Sequence, residues 1–417
     1  MKKNLDRTIG IVGLGYIGLP LALEASKKGW SVIGLDSDSN KVKELRSGIS
    51  HIEGIQSEEL LTTQKAFDLN FTDKPTDLKA VDICIICVPT PLLASKEIDL
   101  SFLIKAVKSF SEILKSSCVI VNESTSYPGT LNNVIKLIVQ QLRNDFGDIA
   151  GYVAAPERID PGNKNYDLTN TPRILGSDDF IQLERVKLFY ESLGAEIHTV
   201  NSAETAEFAK LIENTFRLVN ISFVNELVPY ASKLDINLLD ALAAAATKPY
   251  GFMKFLPGTG VGGHCIAVDP YYLLKSARDA GLDLPIVSQS LDINSRISSQ
   301  IISTVVKLLG SKVEEKNVLI LGVAYKPGVR DFRESPSETI ARKLQELKIN
   351  IFWDDPLVDS WPFADKFNNQ PIDLCIATQS STFEQVKKFS EIYKILDCRG
   401  DYDSLPNTIS YFKINSL

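Results

Sequence analysis

A glycine triplet near its start constrains this chain more than any other feature. An apolar run from Thr8 to Gly13 leads into Gly13-Leu14-Gly15-Tyr16-Ile17-Gly18, and a helix-forming stretch follows through Lys28. A second apolar run, Ser31 to Asp36, ends on a carboxylate about 20 positions beyond the triplet. Strand, tight turn, helix and strand make one βαβ unit. Gly13 allows the turn, Gly15 lets the backbone approach a pyrophosphate, and Gly18 lets the helix pack close to the strand. The helix start supplies amide donors and the positive end of a dipole. Tyr16 and Ile17 lie inside the loop and are expected to border the same ligand. Asp36 can accept hydrogen bonds from a ribose diol and repel a 2′-phosphate. The motif therefore points to NAD rather than NADP, with a purely structural tight turn as the alternative.

The strand–helix rhythm continues through Val81 to Val88, Cys118 to Glu123, Tyr152 to Ala155 and Glu196 to Val200. This alternation predicts an α/β fold with a Rossmann-like, doubly wound parallel sheet. After Ser202 the strand signal stops. Ala203 through Leu234 has no Gly and a single Pro, Pro229, so it reads as one long helix, kinked near that proline. Helical character persists to about Leu309. Strands return at Asn317 to Val323, Ile349 to Asp354, Ile372 to Ala377 and Lys394 to Asp397. This second Rossmann-like sheet lacks a glycine triplet and is expected to bind something other than a second dinucleotide. The expected division is 1–201, dinucleotide-binding; 202–312, central and helical; and 313–417, the second open sheet.

Composition excludes several function classes. The 417 residues suffice for two or three domains. The net charge of −7, with Lys and Arg dispersed, argues against a nucleic-acid surface. No apolar run reaches the roughly 18–20 residues that span a bilayer. Met1 to Arg7 lead straight into a strand, so no leader segment is expected. Six widely spaced cysteines read as free thiols of a cytoplasmic protein. Cys84-Ile85-Ile86-Cys87 has metal-ligand spacing but lies in an apolar strand, which favours buried structural thiols. Three scattered histidines, His51 and His198 without a role, argue against a metal site.

Other candidate site residues fall in patterns that are ambiguous one at a time. Thr90 and Thr125 each follow a buried strand, at the sheet edge where ligands bind, yet either reads equally as a turn hydroxyl. Ala155-Pro156-Glu157-Arg158-Ile159-Asp160-Pro161-Gly162-Asn163 is a charged strand-end loop, either solvated or part of a site. Lys210, Asn214 and Arg217 share one face of the long helix, beside the small Ala206 and Ala209. Such a stripe is either solvated or ligand-binding. Cys265 stands in Gly258-Thr259-Gly260-Val261-Gly262-Gly263-His264-Cys265-Ile266-Ala267-Val268-Asp269-Pro270. Its glycines allow close backbone approach to a ligand, and a turn entering a helix lowers a thiol's pKa. A small buried hydrophobe is the alternative.

Taken in this order, the motifs resemble the nucleotide-sugar 6-dehydrogenase family over nearly the whole chain. The matching pieces include Gly13 to Gly18, Glu123-Ser124-Thr125, Pro156-Glu157-Arg158, Ala206 to Asn214, Gly262 to Asp269, Tyr325-Lys326-Pro327 and Asp331-Phe332-Arg333-Glu334-Ser335-Pro336. The resemblance implies a C-terminal UDP-binding domain and a long central helix that builds a homodimer. It implies that Cys265 is the nucleophile, Lys210 stabilises an oxyanion and Asp269 works with a water held by Thr125. Glu157 would serve thioester hydrolysis, and Asn214 would hold the sugar's reacting end. Lys326 would contact substrate, as would Arg158, Arg217 and Gly262, and Arg333 would reach the cofactor. The activity implied is NAD-dependent, four-electron oxidation of C6 of a UDP-sugar, for surface polysaccharide precursors. The sequence around Glu157, Asn214 and Cys265 looks like the N-acetylhexosamine branch. UDP-glucose 6-dehydrogenation is the alternative, and a one-step hydroxyacid dehydrogenase or a non-catalytic NAD sensor is more remote.

Overall fold

The computed structural model describes residues 8–413 apart from 53, 144–146, 161–162, 164, 264, 391–392 and 400–410. Pro161 and Gly162 of the charged loop, His264 beside the thiol, and Met1 to Arg7 lie outside the described residues. The chain packs as two compact units, residues 1–212 with 271–279, and residues 213–270 with 280–417.

The first unit is built on eight strands: β1 (Thr8–Val12), β2 (Ser31–Leu35), β3 (Leu69–Thr72), β4 (Ile83–Ile86), β5 (Val119–Asn122), β6 (Gly151–Ala154), β7 (Arg173–Gly176) and β8 (Ile197–Val200). Their order is β3-β2-β1-β4-β5-β6-β7-β8, and only the β6–β7 pair is antiparallel. β4 and β5 are buried along their whole length, as strands covered on both faces must be. Alternate residues serve opposite layers: Ile83, Ile85, Val119 and Val121 enter one core, while Cys84, Ile86, Cys118 and Ile120 enter the other. Cys84 is thus a buried core thiol, as expected. The order reverses beside β1, which opens a crevice at the carboxyl ends of β1 and β4. Strands β3 and β7 are additions to the sequence-based expectation.

The second unit holds β9 (Asn317–Leu321), β10 (Asn350–Asp354), β11 (Asp365–Lys366), β12 (Leu374–Ala377), β13 (Ile395–Asp397) and β14 (Tyr411–Lys413). They form one parallel sheet in the order β11-β10-β9-β12-β13-β14. The first turn of this sheet repeats that of the other. Gly322 N–H donates to Asp354 O at 2.9 Å, as Gly13 N–H does to Leu35 O at 2.8 Å. Val323 N–H reaches Asp355 Oδ2 at 2.9 Å, as Leu14 N–H reaches Asp36 Oδ2 at 3.0 Å. The likeness goes one contact further, since Leu357 N–H donates to Asp355 Oδ1 at 2.9 Å as Asp38 N–H does to Asp36 Oδ1 at 3.0 Å. Asp355 also accepts the amides of Ala324, Leu357 and Val358, so its oxygens are committed to the loop.

The long helix runs Ala203–Lys233 with Pro229 inside it. A later helix, Pro285–Leu309, packs Ile297, Ile301 and Val305 into the core of the second sheet. That packing joins most of the helical segment to the C-terminal sheet, and the two compact units part within the long helix.

Candidate functional site

The glycine loop has the shape a pyrophosphate requires. Gly13 has φ 96°, and a Cβ there would lie 2.7 Å from the Cys87 carbonyl oxygen. A Cβ on Gly18 would fall 1.9 Å from Gly13 O, so the helix can start this close to β1 only without a side chain. On Gly15 a Cβ would meet nothing within 4 Å, so that side of the loop is open to a ligand. Tyr16 is exposed and Ile17 half-buried beside it. Asp36 is buried and has a structural task besides any ribose contact: it accepts from Leu14 N–H and, at 2.9 Å, from Lys41 Nζ. Burial pushes its carboxyl up, but Lys41 and the amides of Asp38 and Leu14 outweigh that and hold it below the usual range. His51 gains a role, its Nε2 lying 2.9 Å from Leu14 O.

The Thr125 loop is pinned to both helices that carry candidate site residues. Thr90 Oγ1 donates to the Thr125 carbonyl at 2.9 Å, and Tyr272 Oη donates to the Thr90 carbonyl at 2.8 Å. Tyr272 lies one turn into the helix Asp269–Asp279. From the long helix, Glu207 accepts from Gly129 N–H (2.7 Å), Leu131 N–H (2.9 Å) and Ser126 Oγ (3.2 Å). It sits one turn before Lys210, and nothing in the local sequence marks it out from the other charges of the helix. Burial pushes its carboxyl up to about 7 despite those donors. Because the folded pKa is the higher one, the folded state keeps a proton that the unfolded chain releases. The resulting stability is present at low pH and lost as pH rises through about 7. Glu207→Gln should therefore flatten the fall in Tm between pH 5 and about 7.5. Thermal unfolding across that range checks this, and an unchanged slope would remove Glu207 as its source.

Glu157 lies in a buried ion cluster whose centre is Arg173, the first residue of β7. Arg173 donates to Glu123 Oε1 (2.9 Å) and Glu157 Oε2 (2.8 Å), and its guanidinium stacks on the Tyr190 ring. Tyr190 Oη also donates to Glu123. Arg158 and Ile159 N–H donate to Glu157 Oε1 at 2.7 and 2.8 Å. Burial raises the Glu157 carboxyl, but Arg173, the two amides and the Lys210 ammonium outweigh it, leaving Glu157 below the usual range. Burial pushes its neighbour Glu123 up to about 7. Lys210 is itself buried, and among the described residues no hydrogen bond occupies its ammonium. Arg158, expected at the substrate, donates to the Pro172 carbonyl at 2.7 Å.

In the second unit, Cys265 is exposed in the turn that enters the helix Asp269–Asp279, and its carbonyl accepts Asp269 N–H at 2.9 Å. Asn214 Nδ2 donates to the buried Asp269 carboxylate, and Arg217 donates to Asn214 Oδ1. Cys265, Asp269, Asn214 and Arg217 thus form one connected group. The glycines before the thiol have a reason the sequence hid. A Cβ on Gly262 would lie 2.5 Å from Glu334 O, and one on Gly263 would lie 2.7 Å from the Tyr325 ring. The backbone there packs against the loops after β9. Lys326, in that region, lies over the Tyr325 ring, and Arg333 is paired with Asp331 at 2.6 Å.

Comparison with known proteins assigns these pieces. Residues 7–194 match the NAD binding domain of the UDP-glucose/GDP-mannose dehydrogenase family, residues 204–296 its central domain and residues 319–403 its UDP binding domain. The chain belongs to the UDP-glucose/GDP-mannose dehydrogenase family. A UDP-N-acetyl-D-glucosamine 6-dehydrogenase of Pseudomonas aeruginosa is 35% identical over 88% of this chain and 87% of its own. A UDP-N-acetyl-D-mannosamine dehydrogenase of Methanocaldococcus jannaschii is 33% identical, over 82% and 78%. Among solved structures, the UDP-N-acetyl-mannosamine dehydrogenase of Staphylococcus aureus superposes with a TM-score of 0.84 at 30% identity, covering 98% of both chains.

As a member of this family the chain is an NAD-dependent nucleotide-sugar dehydrogenase. The open face of Gly15 and the tight Gly13–Gly18 contact fit the dinucleotide that the matched segment implies. The glycine loop, Asp36, Thr90, Thr125 and Glu157 fall in the NAD-binding segment. Lys210, Asn214, Arg217, Gly262, Cys265 and Asp269 fall in the central one, and Lys326 and Arg333 in the UDP-binding one. No cluster of His, Cys, Asp and Glu able to hold a metal occurs among the described residues.

Proposed function

We propose that this enzyme oxidises C6 of a UDP-N-acetylhexosamine to the carboxylate, with Cys265 as nucleophile. The connected group Cys265–Asp269–Asn214 carries this reading, because a one-step alcohol oxidation needs no thiol at the entry of such a turn. The names of the relatives, UDP-N-acetyl-D-glucosamine and UDP-N-acetyl-D-mannosamine dehydrogenases, support the sugar class. NAD held by the glycine loop would supply the hydride acceptor, with one NAD consumed in each of the two oxidations. Asp269, with a water on Thr125, takes the proton of the C6 hydroxyl. Cys265 Sγ then adds to the aldehyde carbon, and the Lys210 ammonium and Asn214 amide stabilise charge on its oxygen. Loss of the second hydride leaves a thioester on Cys265, which water cleaves to the acid and the free thiol. Glu157, kept ionised chiefly by Arg173, also feels the Lys210 charge. To activate the hydrolytic water as well, it would use an oxygen already holding Arg173 or two amides. Arg158, Arg217, Gly262 and Lys326 border the substrate, and Arg333 leaves Asp331 for the cofactor.

The direct test counts NADH across a panel of UDP- and GDP-sugars. Two NADH per UDP-N-acetylhexosamine are expected. One NADH per substrate would overturn the thioester route, and faster turnover of UDP-glucose would move the enzyme to that branch.

The long helix is proposed to build a homodimer. Phe208, Ile212, Phe216, Phe223 and Tyr230 recur at four- and seven-residue spacing and are 44–62% exposed, an apolar stripe that one copy leaves largely open although Phe216 meets the Phe255 ring edge-to-face at 5.9 Å. Sedimentation should give a dimer at micromolar concentration, and Phe216→Asp should shift it toward monomer. A wild-type monomer would remove the claim. The six free cysteines support a cytoplasmic location, and no helix among the described residues is long and apolar enough to cross a membrane.

A further inference from the structure

The segment before Cys265 is held from three other elements of its own unit. Gly258 N–H donates to Asn225 Oδ1 on the long helix at 3.0 Å, and Val261 N–H donates to Asn294 Oδ1 on the helix Pro285–Leu309 at 2.8 Å. The third hold is Gln379, in the loop that follows β12. Its Oε1 accepts Thr259 N–H at 3.1 Å and Thr259 Oγ1 at 2.6 Å. Its Nε2 donates to the Gly260 carbonyl at 2.9 Å and the Tyr325 carbonyl at 3.0 Å. One side-chain amide thus uses both hydrogens and two lone pairs, and ties the segment leading to the thiol to the loop after β9. The Gln379 peptide is fixed in turn by Arg399 Nη1 on its carbonyl oxygen at 3.3 Å. Only a neutral primary amide satisfies this place. A carboxylate would set an anionic oxygen against two carbonyls, and a methionine would fill the volume while bonding neither side.

We propose that Gln379 is a positioning residue that fixes Cys265 relative to the loop carrying Tyr325 and Lys326, without touching the reacting atoms. The proposal rests on Cys265 being the nucleophile. Its physical basis is that Gly262 and Gly263 press on Glu334 and Tyr325 with no side chain between, so a shift of the loop after β9 reaches the thiol segment directly. Gln379 holds the two backbones in that register. A nucleophile displaced by a fraction of an ångström from its carbonyl loses rate while binding elsewhere is kept.

The test compares wild type with Gln379→Glu and Thr259→Val. The second variant removes the hydroxyl end of the same contact and guards against a Gln379→Glu protein that fails to fold. Two quantities are read: steady-state kinetics, and the rate at which iodoacetamide alkylates Cys265, followed by mass spectrometry. Four of the other five cysteines are buried, which keeps the thiol signal specific. Gln379→Glu should lower kcat about tenfold or more with the KM for NAD within about twofold, and should speed Cys265 alkylation about threefold as the segment loosens. Thr259→Val should move both in the same directions by less. Wild-type kcat and alkylation in both variants would overturn the proposal. A lower kcat with unchanged alkylation would also overturn it, because the effect would then lie away from the thiol segment. Cys265→Ser run alongside separates the two ideas. Full uronate formation by that variant removes Cys265 as the nucleophile, while alkylation of Gln379→Glu and Thr259→Val still decides the clamp.

Discussion

Cys265→Ser should lower net uronate formation by about three orders of magnitude or more while leaving the fold and NAD affinity intact. The first hydride transfer needs an alcohol, a base and an acceptor. The second needs an adduct, because an aldehyde carbonyl has no hydride to give until a nucleophile has added to it. A serine hydroxyl keeps the shape of the site but is a far poorer nucleophile near neutral pH. The variant should stall after capturing the substrate or after the first oxidation. Cys265 is exposed in a turn of the second unit, so the change opens no core cavity, and the glycine loop lies in the other unit. Cys84→Ser is the contrast. That thiol lies fully buried in β4, and burial pushes its pKa well up, so its replacement should lower Tm and leave the chemistry alone. Single-turnover counting of NADH checks both. Two NADH per sugar at near wild-type rate from Cys265→Ser would end the thiohemiacetal route.

What the sequence revealed and what it concealed divide along one line, the range of the interactions. The glycine triplet, the thiol turn and the buried strands β4 and β5 are local patterns, carried by neighbouring residues whose backbone angles or periodicity declare them. Strand β7 is only four residues long and opens on an arginine, which reads as loop. Its burial becomes favourable only when Glu123 and Glu157, 50 and 16 positions away, close around it. Glu207 looks like one charge among several on a helix until the Gly129 and Leu131 amides reach it across more than 70 residues. Gln379 is quieter still, since its partners Thr259 and Tyr325 come from different parts of the chain. The glycines near Cys265 illustrate a partial success. Their need for close approach was legible, but the surface approached is Tyr325 and Glu334.

The second large effect is expected from Arg173→Met, and it falls on stability before it falls on catalysis. Arg173 is 3% exposed and is the cation shared by two buried carboxylates. Methionine fills much of the volume but leaves Glu123 and Glu157 facing each other with no positive charge between them. Removing one partner of such a buried ion group costs about 3–5 kcal/mol, enough to bring an ordinary domain close to its unfolding threshold. The pH dependence should change as well. In wild type Glu157 is held below the usual carboxylate range, so its share of stability is present at neutral pH and lost as pH falls through its folded pKa. Without Arg173, burial and the Glu123 charge both push that carboxyl up, so the folded state should take up a proton and be favoured by acid instead. Thermal unfolding of Arg173→Met should therefore show a much lower Tm near neutral pH and a partial recovery as pH is lowered toward about 5. Arg173→Lys, which keeps one charge but cannot bridge both carboxylates with a fork, should fall between the two proteins. A Tm for Arg173→Met within a degree or two of wild type at neutral pH would mean that the cluster contributes little to holding the fold. The Glu157 carboxylate would then owe its position to the Arg158 and Ile159 amides alone.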